Sequence, residues 1–213
     1  MSRISLVAAL LAALSPLSSI ADEHDHSHNH GNPAAGANIP AEVEAGALRE
    51  AKARSYFTDL PVIAQDGKER RFFSDVLKDK VVLIYLFFTN CENTCPVVNQ
   101  TLSNVQDLLG DRLGNDITLI SITTDPARDT PSVVKEYSDY FGPRPGWFFL
   151  TGERQNIETL DHRLGHTSPD PTDHIAFLMV GNVAKAKWTK LKPTASPAEI
   201  VAMLHFLAGD RLE

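Results

Sequence analysis

Residues 81–88, Val81-Val82-Leu83-Ile84-Tyr85-Leu86-Phe87-Phe88, form an uninterrupted apolar run, and it constrains this chain more than any other feature. The run is short, β-branched and aromatic, and it does not alternate with polar residues. It therefore predicts a strand covered on both faces, which requires a sheet with helices on both sides. It ends in Thr89-Asn90-Cys91-Glu92-Asn93-Thr94-Cys95-Pro96, and from Pro96 the pattern turns helical. Val97, Leu102, Val105 and Leu109 mark an apolar face, and Gly110 is a stop. Cys91 and Cys95 are the chain's two cysteines. A strand that hands them to a helix start places two thiols where the helix dipole favours thiolate. Such a pair suits a soft metal or thiol redox chemistry, and a disulfide closing a small loop is a third reading. A structural zinc site wants four protein ligands, and no further cysteines exist to supply them.

The flanking pattern predicts the rest of the fold. Residues 57–63 and 69–73 read as two leading strands around Asp66-Gly67, a turn signal. A strand is expected at 117–123, a helix from Thr130-Pro131 to about Tyr140, a short strand at 147–150 and a helix over 157–164. Residues 175–180 and 184–188 read as a hairpin around Gly181-Asn182, and Ser196-Pro197-Ala198-Glu199 as a capping box opening the last helix. The expected class is α/β: a thioredoxin-like mixed sheet flanked by helices, with an N-terminal β extension and a hairpin before the last helix. Thioredoxins space their cysteines by two residues, so a spacing of three argues mildly against ordinary oxidoreductase chemistry.

Outside this domain, expected over 51–213, the chain carries two appendages. Residues 1–21 have the pattern of a signal peptide: Arg3 is the positive start, 6–14 the apolar core, and Ser19-Ile20-Ala21 the small residues before a cut. The apolar core is short for a bilayer span and no cysteine follows it for a lipid anchor. The expectation is a soluble periplasmic product, the alternative an inner-membrane anchor formed by an uncleaved N-terminus. Residues 22–50 read as a His-rich disordered linker with few large apolar residues. The net charge of −7, with no basic stripe, argues against nucleic acid as a partner.

The histidines outside the linker differ in promise. His162 reads as a surface residue of a helix, His205 as packing in the last helix, and His166 as a loop residue beside the site or merely solvated. His174 ends a polar loop and directly precedes an apolar strand on the expected cysteine side, with Asp173 available to orient its imidazole. Cys91, Cys95 and His174 together make a Cys₂His donor set, in which two thiolates favour Cu(I) and the imidazole helps hold Cu(II).

With these residues in place, the chain resembles the Sco/SenC copper chaperones. The matching stretches are Leu86 to Pro96 around the cysteines, Ser121-Ile122-Thr123-Thr124-Asp125-Pro126-Ala127-Arg128-Asp129-Thr130-Pro131, Tyr137 to Gly142, and Asp173-His174. They occur in the family's order, and the resemblance covers roughly 56–207. It implies a thioredoxin-like fold and one copper ion held by Cys91, Cys95 and His174. It also implies assembly of the dinuclear copper centre (CuA) of cytochrome c oxidase, whose CuA subunit would be the copper-accepting client. A copper donor or a thiol reductase would be a further partner. Asp125 and Asp129 are expected to shape their loop and cap the following helix rather than to bind metal. Some family members act as thiol reductases or redox sensors, so a thiol-disulfide oxidoreductase or a redox sensor using Cys91 and Cys95 is the alternative.

The linker adds one expectation of its own. Cleavage after Ala21 would expose Asp22-Glu23-His24, whose amine, amides and imidazole can wrap Cu(II) in a square plane of nitrogens. His26, His28 and His30 would add weaker sites.

Overall fold

The 81–88 run forms the central strand it predicts. The computed structural model describes residues 40–168, 170 and 176–210. A helix α1 (Ala41–Phe57) precedes strands β1 (Pro61–Ala64) and β2 (Glu69–Arg71). Then follow β3 (Val81–Phe87), α2 (Thr94–Leu109), β4 (Ile117–Thr123), α3 (Pro131–Asp139), β5 (Trp147–Thr151) and α4 (Arg154–Leu164). The hairpin β6 (Leu178–Asn182) and β7 (Lys187–Leu191) leads to α5 (Pro197–Ala208). The strands make one seven-stranded sheet in the order β2-β1-β5-β4-β3-β6-β7. β3, β4 and β5 are parallel, and β1 and β6 join them antiparallel. This is the expected mixed α/β, thioredoxin-like sheet.

Side chains alternate across β3, so the strand feeds two cores. Leu83, Tyr85 and Phe87 face α2, α3 and α5, packing with Cys95, Val98, Leu102, Val134 and Leu204. Val82, Ile84 and Leu86 face the other way, toward Phe57 of α1 and Ile157, Leu160 and Leu164 of α4. Every residue of β3 and β4 is buried, which is why neither shows alternation in sequence.

Three expectations shift. Residues 41–50, read as linker, are helical in α1. That helix has no apolar stripe to reveal it, since Phe57 is its one buried residue. Glu42 and Glu44 in its first turn and Arg54 in its last complement its dipole. Arg54 ties it down by an ion pair to Asp59 at 2.6 Å. Accordingly the expected strand from Phe57 starts only at Pro61, after Thr58 breaks the helix with φ 63°. Phe72 and Phe73, assigned to the second strand, open a π-helical turn, Phe72–Leu77, that buries both rings. The hairpin turn lies at 183–186 rather than at Gly181-Asn182. Gly181 serves room, not turning. It sits opposite Trp188, and a Cβ there would lie 2.2 Å from the indole. The expected capping box is present, with Ser196 accepting from the Glu199 backbone and Glu199 reaching back to the Ser196 N–H.

One buried group predicts a pH effect on stability. Asp161 of α4 is 2% exposed, and its Oδ1 makes no hydrogen bond among the described residues. Burial, reinforced by Glu158, raises its carboxyl well above the ordinary range. The folded state therefore holds this proton when the unfolded chain has already lost it. The resulting stability is full below the unfolded pKa and drains away as pH rises through the folded one. Asp161→Asn should melt at a higher temperature than the parent at neutral pH, with the gain shrinking toward acid pH. Equal melting curves at both pH values would contradict this.

Candidate metal centre

The cysteines sit at the carboxyl end of the parallel strands, where open α/β sheets place their sites. After Phe87 the chain turns through Phe88–Cys91, the Cys91 N–H donating to the Phe88 carbonyl at 3.2 Å. Helix α2 then begins, with Asn93 at the N-cap position but no cap from its side chain. The Cys91 sulfur takes over that job: it accepts the Cys95 backbone N–H at 3.3 Å. A free N–H of the first turn thus points at one thiol, and the other thiol stands on that same turn.

The two sulfurs are unlike. Both are free thiols, Cys91 half-buried and Cys95 fully buried. Burial alone would raise the Cys91 pKa, but the Cys95 thiol and the backbone N–H groups of Cys95, Asn93 and Thr94 outweigh it and bring it below the ordinary value. Cys95 is pushed up to about 12, by burial first and by the Cys91 sulfur second. Cys91 is therefore the sulfur that ionises first and meets solvent. Cys95 stays protonated behind it until a cation or an electrophilic sulfur arrives.

The loop that carries Cys91 is anchored by Asp129, a fully buried carboxylate. It accepts the Thr89 backbone N–H at 3.1 Å together with the hydroxyls of Thr89 and Thr123. Its own carbonyl accepts the Thr151 hydroxyl at 2.6 Å. One residue thus ties together the ends of β3, β4 and β5 beside the cysteines. Loop shaping by Asp129 is as expected, but capping is not: Thr130 is the N-cap residue of α3, and no side chain caps it. Asp125 makes an ion pair with Arg128 at 3.6 Å and likewise stays in its loop.

Beneath the thiols lies a polar chain in an aromatic wall. The Trp147 indole N–H donates to Ser121 at 3.3 Å, Ser121 donates to Asn99 at 3.1 Å, and Asn99 donates to the Tyr137 hydroxyl at 3.2 Å. Tyr137 stacks on Phe87 at 5.2 Å. Sequence reasoning passed over Asn99 and Tyr85. A hydroxyl in the middle of an aliphatic buried strand was the signal for Tyr85, whereas Asn99 showed none.

Of the other predicted site residues, His174, with Asp173, and the linker's His24, His26, His28 and His30 lie outside the described residues. His162 is exposed, as expected. His205 is half-buried in α5, its Nδ1 3.9 Å from Asp210. His166 lines a cleft with Asp125, Asp161 and His162 rather than standing in the cysteine turn. Among the described residues no three His, Cys, Asp or Glu side chains converge on one point. Two adjacent sulfurs, the more exposed of them with its pKa lowered, fit a soft cation such as Cu(I).

Comparison with known proteins decides the family. The SCO1/SenC family model matches residues 52–208. This chain belongs to the SCO1/SenC family. A SCO2-like protein of Rickettsia felis is 34% identical over 163 residues, 71% of this chain and 75% of its own length. Among solved SCO1/SenC structures, Bradyrhizobium japonicum ScoI with copper bound is 25% identical, with a TM-score of 0.57 over 69% of this chain and 96% of its own. BsSco, described as carrying a disulfide switch and as a member of the Sco family of cytochrome c oxidase assembly proteins, matches with a TM-score of 0.60. At 23% identity over 71% of this chain and 92% of its own, it supports the fold alone. No helix among the described residues is long and apolar enough to cross a membrane.

Proposed function

We propose that this protein is an exported copper metallochaperone. In the periplasm it holds one copper ion through Cys91, Cys95 and His174 and delivers it to a respiratory copper centre, the CuA site of cytochrome c oxidase. One observation carries the reading: two thiols meet at the start of α2, Cys95 on its first turn and Cys91 just ahead of it accepting the Cys95 N–H, in a SCO1/SenC chain. The topology supports His174 as the third donor. β6 runs antiparallel to β3 with Leu178 opposite Tyr85, so the chain entering β6 comes from the end of the sheet where β3 delivers the cysteines. His174 lies two residues before Ala176, a span of at most about 7 Å.

In the proposed cycle, Cu(I) bonds first to the Cys91 thiolate. Cys95 then loses its proton to solvent as its sulfur joins the metal, and the imidazole completes a three-coordinate site. Delivery is ligand exchange: an incoming thiolate of the client bonds to copper as the Cys91–copper bond breaks, with no net change of oxidation state. The linker histidines His24, His26, His28 and His30 would capture Cu(II) and raise its concentration near the core site.

The asymmetry of the thiols favours a second reading, disulfide reduction of a client before metallation. The Cys91 thiolate attacks the client's disulfide and one client thiolate leaves. Cys95 then gives up its proton and attacks the Cys91 sulfur, which releases the second client thiolate and leaves a Cys91–Cys95 disulfide. The client gains two electrons and this protein loses two.

Both readings make copper binding depend on the reduced state. In a full-length variant with the four linker histidines replaced by alanine, the reduced protein should retain one Cu(I) per chain. The form oxidised to the Cys91–Cys95 disulfide should retain none. Equal retention by the two forms, measured by metal analysis after desalting, would sink the copper reading. Reduction of a disulfide client that survives His174→Ala would favour the second.

A further inference from the structure

Helix α1 buries Phe57 alone, and the rest of it stands beside the β6–β7 hairpin without closing on it. Between them runs a groove of about 420 Å³. Phe57, Met179, Val183 and Trp188 line its apolar part, and the half-exposed ring of Tyr56 forms one lip. Phe57 and Trp188 meet ring to ring at 4.9 Å, and the Tyr56 hydroxyl donates to the Arg163 carbonyl at 2.7 Å, so the walls hold their shape without an occupant.

The rim is basic. Arg49 and Lys52 line the groove, and no acid does. The Arg49 Nε donates to the Ala184 carbonyl at 3.3 Å, and neither cation has an ion-pair partner among the described residues. Glu50, the acid closest to both in sequence, is engaged by Arg54 and Lys78. Lys190 stands two residues from Trp188 on β7, hence on the same face of the sheet. Cations thus flank an apolar groove in a chain whose net charge is −7. Arg49 also lies ahead of residues 52–208, so this wall is not wholly part of the family match.

The groove is remote from the cysteines. Trp188 pairs with Gly181, and Gly181 with Val82 near the start of β3, whereas the cysteines follow the end of that strand. Trp188 packs with Phe57 on one face of the sheet, and Cys95 belongs to the core on the other.

We propose that this groove docks an acidic segment of a protein partner. A large apolar side chain of that segment sits on Phe57 and Trp188, and its carboxylates meet Arg49, Lys52 and Lys190. Charge complementarity selects the occupant: apolar burial supplies affinity, and the basic rim sets the sign of the partner. Because the contact leaves Cys91 open, this surface holds a partner without occupying the thiols.

Tryptophan emission reads the contact, since Trp188 lines the groove and the chain's other tryptophan, Trp147, is buried in the opposite core. Added to the full reduced chain, a synthetic peptide of glutamates around a central leucine and phenylalanine should shift the emission to the blue. Its affinity should fall as salt rises. Lys52→Glu, at an exposed position, should melt as the parent does and bind the peptide at least about tenfold more weakly. A peptide with serine in place of both apolar residues should leave the emission unmoved, and Cys91 should be alkylated at the same rate with and without the acidic peptide. No emission change, a change that the serine peptide reproduces, or one that survives Lys52→Glu would overturn the proposal. Slowed alkylation would place the peptide at the cysteines instead. A response to phosphatidylglycerol vesicles with none to the peptide would make this face a membrane contact, and a parent that sediments as a dimer with Trp188 already shielded would show a second copy in the groove. Either result also overturns it.

Discussion

Asp129→Ala is expected to cost about 3–5 kcal/mol of folding stability, among the largest effects of any single substitution outside the hydrophobic core. The carboxylate is fully buried and gathers the Thr89 N–H and the hydroxyls of Thr89 and Thr123. Alanine leaves all three donors without an acceptor, and each buried unpaired group costs about 1–3 kcal/mol. The Asp129 carbonyl keeps its bond from Thr151, so the loss falls on the cysteine side of the loop. Urea unfolding should show the midpoint displaced by roughly 1–2 M. Asp129→Asn keeps the volume and one acceptor oxygen, and it should cost about half as much. The variant that still folds should also release copper more readily, because Thr89 stands two residues before Cys91 and fixes where its sulfur points. A midpoint within experimental error of the parent would show that the carboxylate is not the anchor.

The second large effect separates the two cysteines. Cys91→Ser should change stability by less than about 0.5 kcal/mol, because the serine hydroxyl can accept the first-turn N–H that the Cys91 sulfur accepts. Cys95→Ser should cost about 1–2 kcal/mol, since it sets a hydroxyl among Tyr85, Phe87 and Val98 in place of a thiol. Either change should weaken Cu(I) binding by about a hundredfold to a thousandfold, roughly one ligand's share of the ~10–16 kcal/mol with which a four-ligand zinc site binds its metal. Thermal melts and chelator competition on the same two variants would check both halves. Equal stability loss at the two positions would contradict the unequal burial on which the roles rest.

The parts of the fold visible in the sequence are those in which one local signal dominates. β3 is an apolar run and β4 is dominated by isoleucine and threonine, and both lie within one residue of their expected bounds. Helix α5 announces itself by its capping box. The parts that were missed depend on a partner distant in sequence. Gly181 looks like a turn residue until Trp188 is seen across the ladder. Helix α1 has no apolar stripe, and it is held by Phe57 against Trp188 and by Arg54 on Asp59. The same division runs through the site. The cysteine pair and its place at a helix start are local and were legible. The anchoring by Asp129 and the difference in burial between Cys91 and Cys95 arise from how β3, β4, α2 and α3 pack, which no local pattern records.

The proposed site is a three-coordinate copper centre of two sulfurs and one imidazole nitrogen. X-ray absorption on the copper-loaded full chain, with the four linker histidines replaced by alanine to silence nitrogen donors from that segment, tests it most directly. Two sulfur scatterers and one nitrogen scatterer are expected, with the nitrogen lost in His174→Ala. Cu(II) retention should fall sharply in that variant and Cu(I) retention less, because both thiolates remain for the soft ion. A His174→Ala protein with the parent's nitrogen scatterer and unchanged Cu(II) binding would contradict it.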